Sequence, residues 1–505
     1  MPRSQETRDA QRRVLELLAE AGGGLFRPED DIVHQGTQII LPERMMIDDA
    51  ITFLVNKMKM DQEPMAFTRQ YKYRPLDGAV CTWHAIKRVF GAVGTKVTYS
   101  FFGKNVPQMI DVPIAPGESE SVPWGTFTIP GMEGAEVTPG GTHDEEFGSL
   151  FVLTIEAPRK YRAQVEGLFA MVEKELREHS IYRGRAFDGQ DTPEFLDLSG
   201  VDPDKVIYSE EALVQLNANI WSVLRYRHEL AEAGISRKRS ALLYGPYGTG
   251  KTLGGFLTAQ VAVESGWTFL YARPGKDNVA QVLQTARLYQ PACVFFEDLD
   301  TVADPDATSA DNATKLLDSF DGITAKGTEL IVVLTTNHPD RIHKGMLRPG
   351  RLDAIIEIGA LDVAGIEKLV KVTLKPEHLA PDVDWELVGK AMTVTADDGV
   401  EIGFLPAYAK EAADRTFRYA LAREGTPEGI VITTDDLVHA AEGLRPQLLM
   451  MEGAKEHQRK DTVGLAIGNT VKDAMVHLHQ DEYAEHAFRP EELAGVVERN
   501  GKRMK

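Results

Sequence analysis

The residues best suited to do chemistry stand together as Gly245-Pro-Tyr-Gly-Thr-Gly-Lys-Thr252, directly behind the apolar run Ala241-Leu-Leu-Tyr244. Glycines at 245, 248 and 250 let the backbone curl until its N–H groups converge on an anion. A lysine and a hydroxyl follow at the mouth of a helical stretch, whose N-terminus adds its positive dipole end. Strand, loop and helix in this order form a triphosphate cradle. Gly245, Pro246, Tyr247, Gly248, Thr249, Gly250, Lys251, Thr252 and Leu253 are therefore expected to hold ATP. Lys251 should reach the β- and γ-phosphates, and the Thr252 hydroxyl should bind Mg2+.

Two further segments carry the polar groups that hydrolysis needs. The apolar run Cys293-Val-Phe-Phe296 delivers Glu297-Asp298-Leu-Asp300 to its C-terminal end. In such a pair one acid orders magnesium and another activates the attacking water. The run Glu329–Leu334 leads into Thr335-Thr-Asn337, where an amide beside the γ-phosphate can position that water. Arg348 and Arg351 follow in Arg348-Pro-Gly-Arg351 and suit arginine fingers, which stabilise charge on the transferring phosphoryl group.

These side chains need a scaffold that brings several strand ends to one edge. Short apolar strands are predicted at Ala241–Tyr244, Thr268–Tyr271, Cys293–Phe296, Glu329–Leu334 and Ala354–Ile358, with helical stretches between. That alternation predicts a doubly wound parallel sheet. From Leu361 to about Met451 the pattern reads as helical only, predicting a small all-α lid. Upstream, helices are expected over 5–21, about Arg44–Met60 and Arg159–His179, the last with Val165, Leu168, Phe169, Val172 and Leu176 on one stripe. Between them, Lys96–Phe102, Met109–Ile114, Gly125–Pro130 and Leu150–Glu156 are β-branched and aromatic runs separated by Pro and Gly, predicting a β-rich module. The expected organisation is an N-terminal α+β module (1–182, β-rich over 95–157), a polar linker (183–203), an α/β ATPase core (204–360), the lid (361–451) and a charged extension (452–505).

Composition narrows the partners. The 505 residues carry a formal net charge of −20, so the average surface repels phosphate backbones and a nucleic-acid partner is disfavoured. Cys81 and Cys293 supply neither a disulfide framework nor metal spacing, and Cys293 reads as a small core residue. The opening residues show no signal peptide and no apolar run approaches a membrane span, so a cytoplasmic, membrane-free protein is expected. His477 and His479 are two apart and would point to different helix faces, against a metal cluster with His486.

Taken together, Gly245–Thr252, Val294–Asp300, Leu316–Gly322 and Thr335–Asp353 resemble the AAA family of the AAA+ ATPases across about 197–452. Gly403–Tyr408 looks like the family's sensor-2 turn, and Val431–Leu444 like the helix that closes its lid. The resemblance implies that Asn337 is sensor 1, and that Arg348 and Arg351 reach a neighbouring subunit's ATP. It further implies a homo-oligomeric ring, most often a hexamer, that remodels, disassembles or translocates a protein, here recruited by the N-terminal module. Position by position, Glu297 takes the magnesium role with Thr252, and Asp298 the water-activating role. The family's usual order is Asp then Glu; the inverted order is similar to the mitochondrial AAA chaperones that translocate the Rieske iron–sulfur protein. The family's aromatic–apolar–Gly pore loop is missing after Phe269-Leu-Tyr-Ala272, and His343-Lys-Gly345 replaces Asp-Pro-Ala. No His-Glu-x-x-His occurs, which excludes the metalloprotease branch. A nucleic-acid motor and a slow nucleotide-gated scaffold are the alternative readings.

Overall fold

The computed structural model describes residues 33–35, 38–40, 47–91, 98–100, 103–105, 108–189, 193–273, 277–299, 328–339, 342, 351–395, 399 and 401–450. They divide into two compact units, Met1–Gly359 and Ala360–Lys505. The expected helix at 5–21, the segment Leu316–Gly322, Arg348, the 343–345 replacement and the 452–505 extension lie outside the described residues.

The N-terminal part is mixed α and β. Helix α1 (Ile47–Gln62) leads into β1 (Pro64–Tyr71), and α2 (Pro75–Phe90) follows immediately. Pro75 opens α2, where its missing N–H costs nothing, and Gly91 at φ +74° ends it. A hairpin of β2 (Gln108–Ala115) and β3 (Glu118–Trp124) precedes β4 (Phe127–Thr128), β5 (Glu136–Asp144) and β6 (Gly148–Pro158). Strands β1, β6, β5 and β4 make an antiparallel sheet in that order. Helix α3 (Arg162–His179) packs with α2 on this sheet, and its predicted stripe from Val165 to Leu176 is buried as the spacing requires. Ala79, Val80, Cys81, Trp83, Ala85, Ile86 and Val89 of α2 are buried, because one side of the helix meets the β6 sheet and another meets the next core, while Lys87 and Arg88 stay exposed.

That next core belongs to a parallel sheet of six strands: β7 (Ala186–Asp188), β8 (Arg239–Tyr244), β9 (Thr268–Ala272), β10 (Ala292–Phe296), β11 (Leu330–Thr336) and β12 (Ala354–Glu357). Their spatial order is β7-β9-β10-β11-β8-β12. Strands β9, β10 and β11 are buried at every position, the apolar run expected of a parallel sheet covered on both faces. Helices α4 (Glu210–Leu216), α5 (Lys251–Glu264) and α6 (Val279–Leu288) connect and cover them. Ser209 caps α4 and Asn278 caps α6 by accepting backbone N–H bonds.

Within 183–203, expected to be a linker, the residues Ala186–Asp188 are instead a strand of the sheet. Ala186–Asp188 pairs in parallel with Phe269–Tyr271, and Phe187 is fully buried. The apolar pair Phe187 and Phe195 carries the packing of this edge strand. The N-terminal part and the sheet also share one core, in which Ala79, Val80 and Trp83 join Leu270, Val294 and Leu283.

The second unit holds α7 (Val363–Thr373), α8 (Trp385–Ala391), α9 (Pro406–Glu424) and α10 (Thr434–Glu442). Asp362, Asp384 and Thr433 cap three of them, and Thr433 with Asp436 forms a reciprocal capping box. The all-α expectation is corrected by a small hairpin, β13 (Thr393–Thr395) with β14 (Glu401–Gly403). Thr393, Val394 and Thr395 are β-branched and poor helix formers, so the chain leaves α8 into a strand. The turn Gly403–Tyr408 joins β14 to α9, with Pro406 as its first helical residue.

Candidate nucleotide site

Three strand ends build the site: β8, which leads into the glycine loop; β10, which leads into the acids; and β11, which leads into Asn337. Strand β8 lies between β11 and β12, and the Gly245 N–H extends the pairing to the Thr336 carbonyl at 3.3 Å. A Cβ at Gly245 would sit 1.9 Å from the Ile358 carbonyl oxygen, so no side chain passes this crossing. Gly250 adopts φ +87° and turns the loop into α5.

Within the loop the Lys251 ammonium donates to the carbonyls of Gly245 and Pro246 at 2.7 and 2.8 Å, and lies 3.4 Å from the Thr249 hydroxyl. Thr249 in turn donates to the Pro246 carbonyl at 3.0 Å. The cation is thus held inside the curl, where a polyphosphate's charge would meet it. Gly248 has φ +84°. Tyr247, 61% exposed, sets its ring edge-on to His338 at 6.3 Å, and Leu253 is also exposed.

The two acids separate to different partners. The Glu297 N–H still follows the sheet, donating to the Ala272 carbonyl at 2.8 Å. Its carboxylate accepts from the Thr252 hydroxyl on one oxygen and from the Tyr271 hydroxyl on the other, with the Arg273 guanidinium 3.6 Å away. Burial pushes the Glu297 carboxyl above its ordinary range; the Thr252 hydrogen bond opposes this, the Asp298 charge adds to it, and Lys251 opposes it. Asp298 leaves the sheet at φ +53°, its N–H donating to the Thr335 hydroxyl at 2.9 Å. Its carboxylate accepts from the Asn337 amide at 3.1 Å.

The structure therefore brings together Lys251, Thr252, Glu297, Asp298 and Asn337. Arg351 lies elsewhere. The register pairs Ala241 with Ala354 and Tyr244 with Glu357, so Arg351 precedes β12 at the edge opposite the glycine loop. Its carbonyl accepts from the Ser240 hydroxyl, which leaves about 15 Å of strand between that level and Gly245. An arginine side chain does not span that distance within one chain.

Sequence reasoning passed over Tyr208, Tyr271 and Thr335 as site residues. Tyr208 is buried beneath the loop, and its hydroxyl donates to the Gly250 carbonyl at 2.8 Å. Gly254 has no room for a Cβ, which would meet that hydroxyl at 2.2 Å. Neither tyrosine had a sequence signal, since each acts across many residues. Thr335 did, as a polar residue at a strand tip beside Asn337.

The residues fit the expected ligands. A hydroxyl and a carboxylate in contact, Thr252 and Glu297, are the hard oxygen donors that Mg2+ selects. A glycine loop with a buried lysine at a helix N-terminus suits a triphosphate. Among the described residues no group of three or more His, Cys, Asp or Glu is placed to hold a metal, and no helix is long and apolar enough to cross a membrane.

A glycine loop, paired acids and a sensor amide on adjacent strands of a parallel sheet define a P-loop ATPase fold. Residues 241–360 match the family described as "ATPase family associated with various cellular activities (AAA)" and constitute an AAA ATPase domain. Similar proteins include the peroxisomal ATPase PEX6 of Arabidopsis thaliana, 27% identical over 46% of this chain and 27% of that protein. The ATP-dependent zinc metalloprotease FtsH 1 of Petrotoga mobilis is 33% identical over 39% of this chain and 31% of its own length. The proteasome-activating nucleotidase of Methanocaldococcus jannaschii is 29% identical over 43% of this chain and 52% of its own. The matched region thus spans between about a quarter and a half of each relative's length.

Proposed function

We propose that this protein hydrolyses ATP as a ring-forming AAA motor that remodels, disassembles or translocates a protein substrate. The observation that carries the reading is the separation of the two acids, Glu297 to Thr252 and Asp298 to Asn337. Lys251 and the loop amides would bind the phosphates, and Thr252 and Glu297 would hold Mg2+. The bound ion would neutralise charge on the phosphate oxygens. Asp298 would take a proton from the attacking water, with Asn337 fixing the direction of its carboxylate. Because Arg351 stands at the far edge of its own sheet, its role as a finger calls for a second copy of the chain, which supports a ring, most simply a hexamer.

A protein substrate is supported by the relatives, which include a proteasome-activating nucleotidase and an ATP-dependent protease. The N-terminal α+β part is the proposed recruitment surface and the cytoplasm the proposed compartment. The Glu297-Asp298 order supports a place near the Rieske-protein translocase type. Steady-state ATP turnover tests the reading, measured over protein concentration for wild type, Asp298→Asn and Arg351→Ala. Turnover per subunit should rise with concentration, and each variant should lose about ten-fold or more. A wild type that binds ATP but turns over no faster than Asp298→Asn would instead favour a nucleotide-gated scaffold, the reading kept alive by the short Asp298 side chain.

A further inference from the structure

We propose that Thr335 is a positioning residue for hydrolysis, its hydroxyl fixing the backbone from which Asp298 projects; this rests on the ATPase reading above. The chain leaves the sheet between Glu297, whose N–H still pairs with Ala272, and Asp298, whose N–H turns to the Thr335 hydroxyl at 2.9 Å. At that step Asp298 takes φ +53°, the only left-handed non-glycine among the described residues. Such a conformation is uncommon outside glycine, and neighbouring groups must hold it. Thr335 is 1% exposed on β11, a strand paired on both sides, so its hydroxyl is a rigid acceptor.

The consequence is specific to aspartate. A glutamate can re-aim its carboxylate through an extra torsion, whereas an aspartate, with one torsion fewer, depends more closely on where its backbone is held. Strand β11 therefore grips Asp298 twice: Thr335 holds the backbone, and Asn337, two residues on, holds the carboxylate at 3.1 Å. Valine at 335 would keep the shape and burial of the side chain and remove the acceptor. The carboxylate would then lose its fixed direction, while Lys251, Thr252 and Glu297 would keep theirs.

The test uses the full-length chain with Mg-ATP, reading kcat and KM from turnover, affinity from a fluorescent ATP analogue, and melting temperature. Thr335→Val should lower kcat about ten-fold, with KM and analogue affinity within about two-fold of wild type. Thr335→Ser should restore most of the rate, and Thr335→Val placed on Asp298→Asn should cause no further loss. If valine lowers the melting temperature, Thr335→Ala decides by the same split. A wild-type kcat in Thr335→Val, or a loss that serine leaves unrepaired and that falls equally on affinity, overturns the positioning role and leaves the ATPase reading standing. A wild-type chain without turnover overturns the ATPase reading and this role with it.

Discussion

Glu297 and Asp298 are adjacent in the chain yet face different partners, so their variants should fail differently. Glu297→Gln weakens the oxygen donor beside Thr252. It should raise the Mg2+ concentration needed for half-maximal turnover by about ten-fold. Asp298→Asn keeps that donor pair, so the Mg2+ requirement should stay within about two-fold while kcat collapses. A magnesium titration of both variants reads the two roles apart. Identical Mg2+ shifts in both would show the acids acting as one unit. The residue scale also explains why Asp298 tolerates its torsion: short polar side chains visit the left-handed region more readily than branched or bulky ones.

At the scale of elements, the glycine loop is fitted between Tyr208 and β12. Gly254→Ala would press a methyl onto the Tyr208 hydroxyl, 2.2 Å from the built Cβ position. It should cost about 1–3 kcal/mol and weaken nucleotide binding. Adding Tyr208→Phe removes the offending oxygen, with the next ring carbon at 3.3 Å, so the double variant should recover part of the loss. Urea unfolding and analogue binding of the three proteins measure this.

A second joint between elements is Asp77 on α2. It is fully buried and accepts from Ser180 at 2.7 Å, the Ile181 N–H at 3.0 Å and the Tyr289 hydroxyl at 3.1 Å. Beside it Arg74 donates to the carbonyls of Phe147 and Ser149 and to the Thr285 hydroxyl. Tyr289 and Thr285 belong to the ATPase core, so this polar cluster ties the N-terminal part to it. Burial raises the Asp77 carboxyl from 3.8 to about 6, against the pull of its hydrogen bonds. The folded chain therefore holds this proton at a pH where the unfolded chain has released it. The contribution is full below the unfolded value and is lost as pH rises through about 6. Between pH 4 and pH 7 wild type should lose about 2 kcal/mol relative to Asp77→Asn, whose amide does not titrate. Denaturant unfolding of both at the two pH values checks the sign.

For the whole first unit, the shared core sets what can be removed. Trp83, Val80 and Leu150 from the N-terminal part pack with Leu270, Leu283 and Val294 of the ATPase core. Each fully buried side chain of this size contributes roughly 1.5–3 kcal/mol. Deleting residues 1–182 should therefore leave a chain that lacks cooperative unfolding, measured by calorimetry, where a tethered module would be dispensable. For the assembly, mixing Arg351→Ala with Asp298→Asn should restore part of the turnover that each lacks alone. One supplies an intact Asp298 and the other an intact Arg351, so recovery requires the arginine to act on a neighbour; none on mixing would count against a finger in trans.

By itself the sequence determined the local chemistry. Gly245–Thr252 between an apolar strand and a helix, Glu297-Asp298 at a strand end and Asn337 at another are short-range patterns. Backbone conformation and strand termination act over a few residues, so spacing alone made the P-loop fold and most of its site legible. The tertiary structure decided what depends on partners distant in the chain. It made Ala186–Asp188, within the expected linker, an edge strand, because Phe187 finds a core that no local pattern announces. It set α2 between two cores, one on the antiparallel sheet and one on the parallel sheet, a placement that no local pattern announces. It seated Tyr208 and Tyr271 beneath groups tens of residues away, joined the N-terminal part to the ATPase core, and set Arg351 at the opposite edge from its own loop. Burial and register are properties of the folded chain as a whole, and a linear pattern carries them only where both faces of an element are chemically distinct.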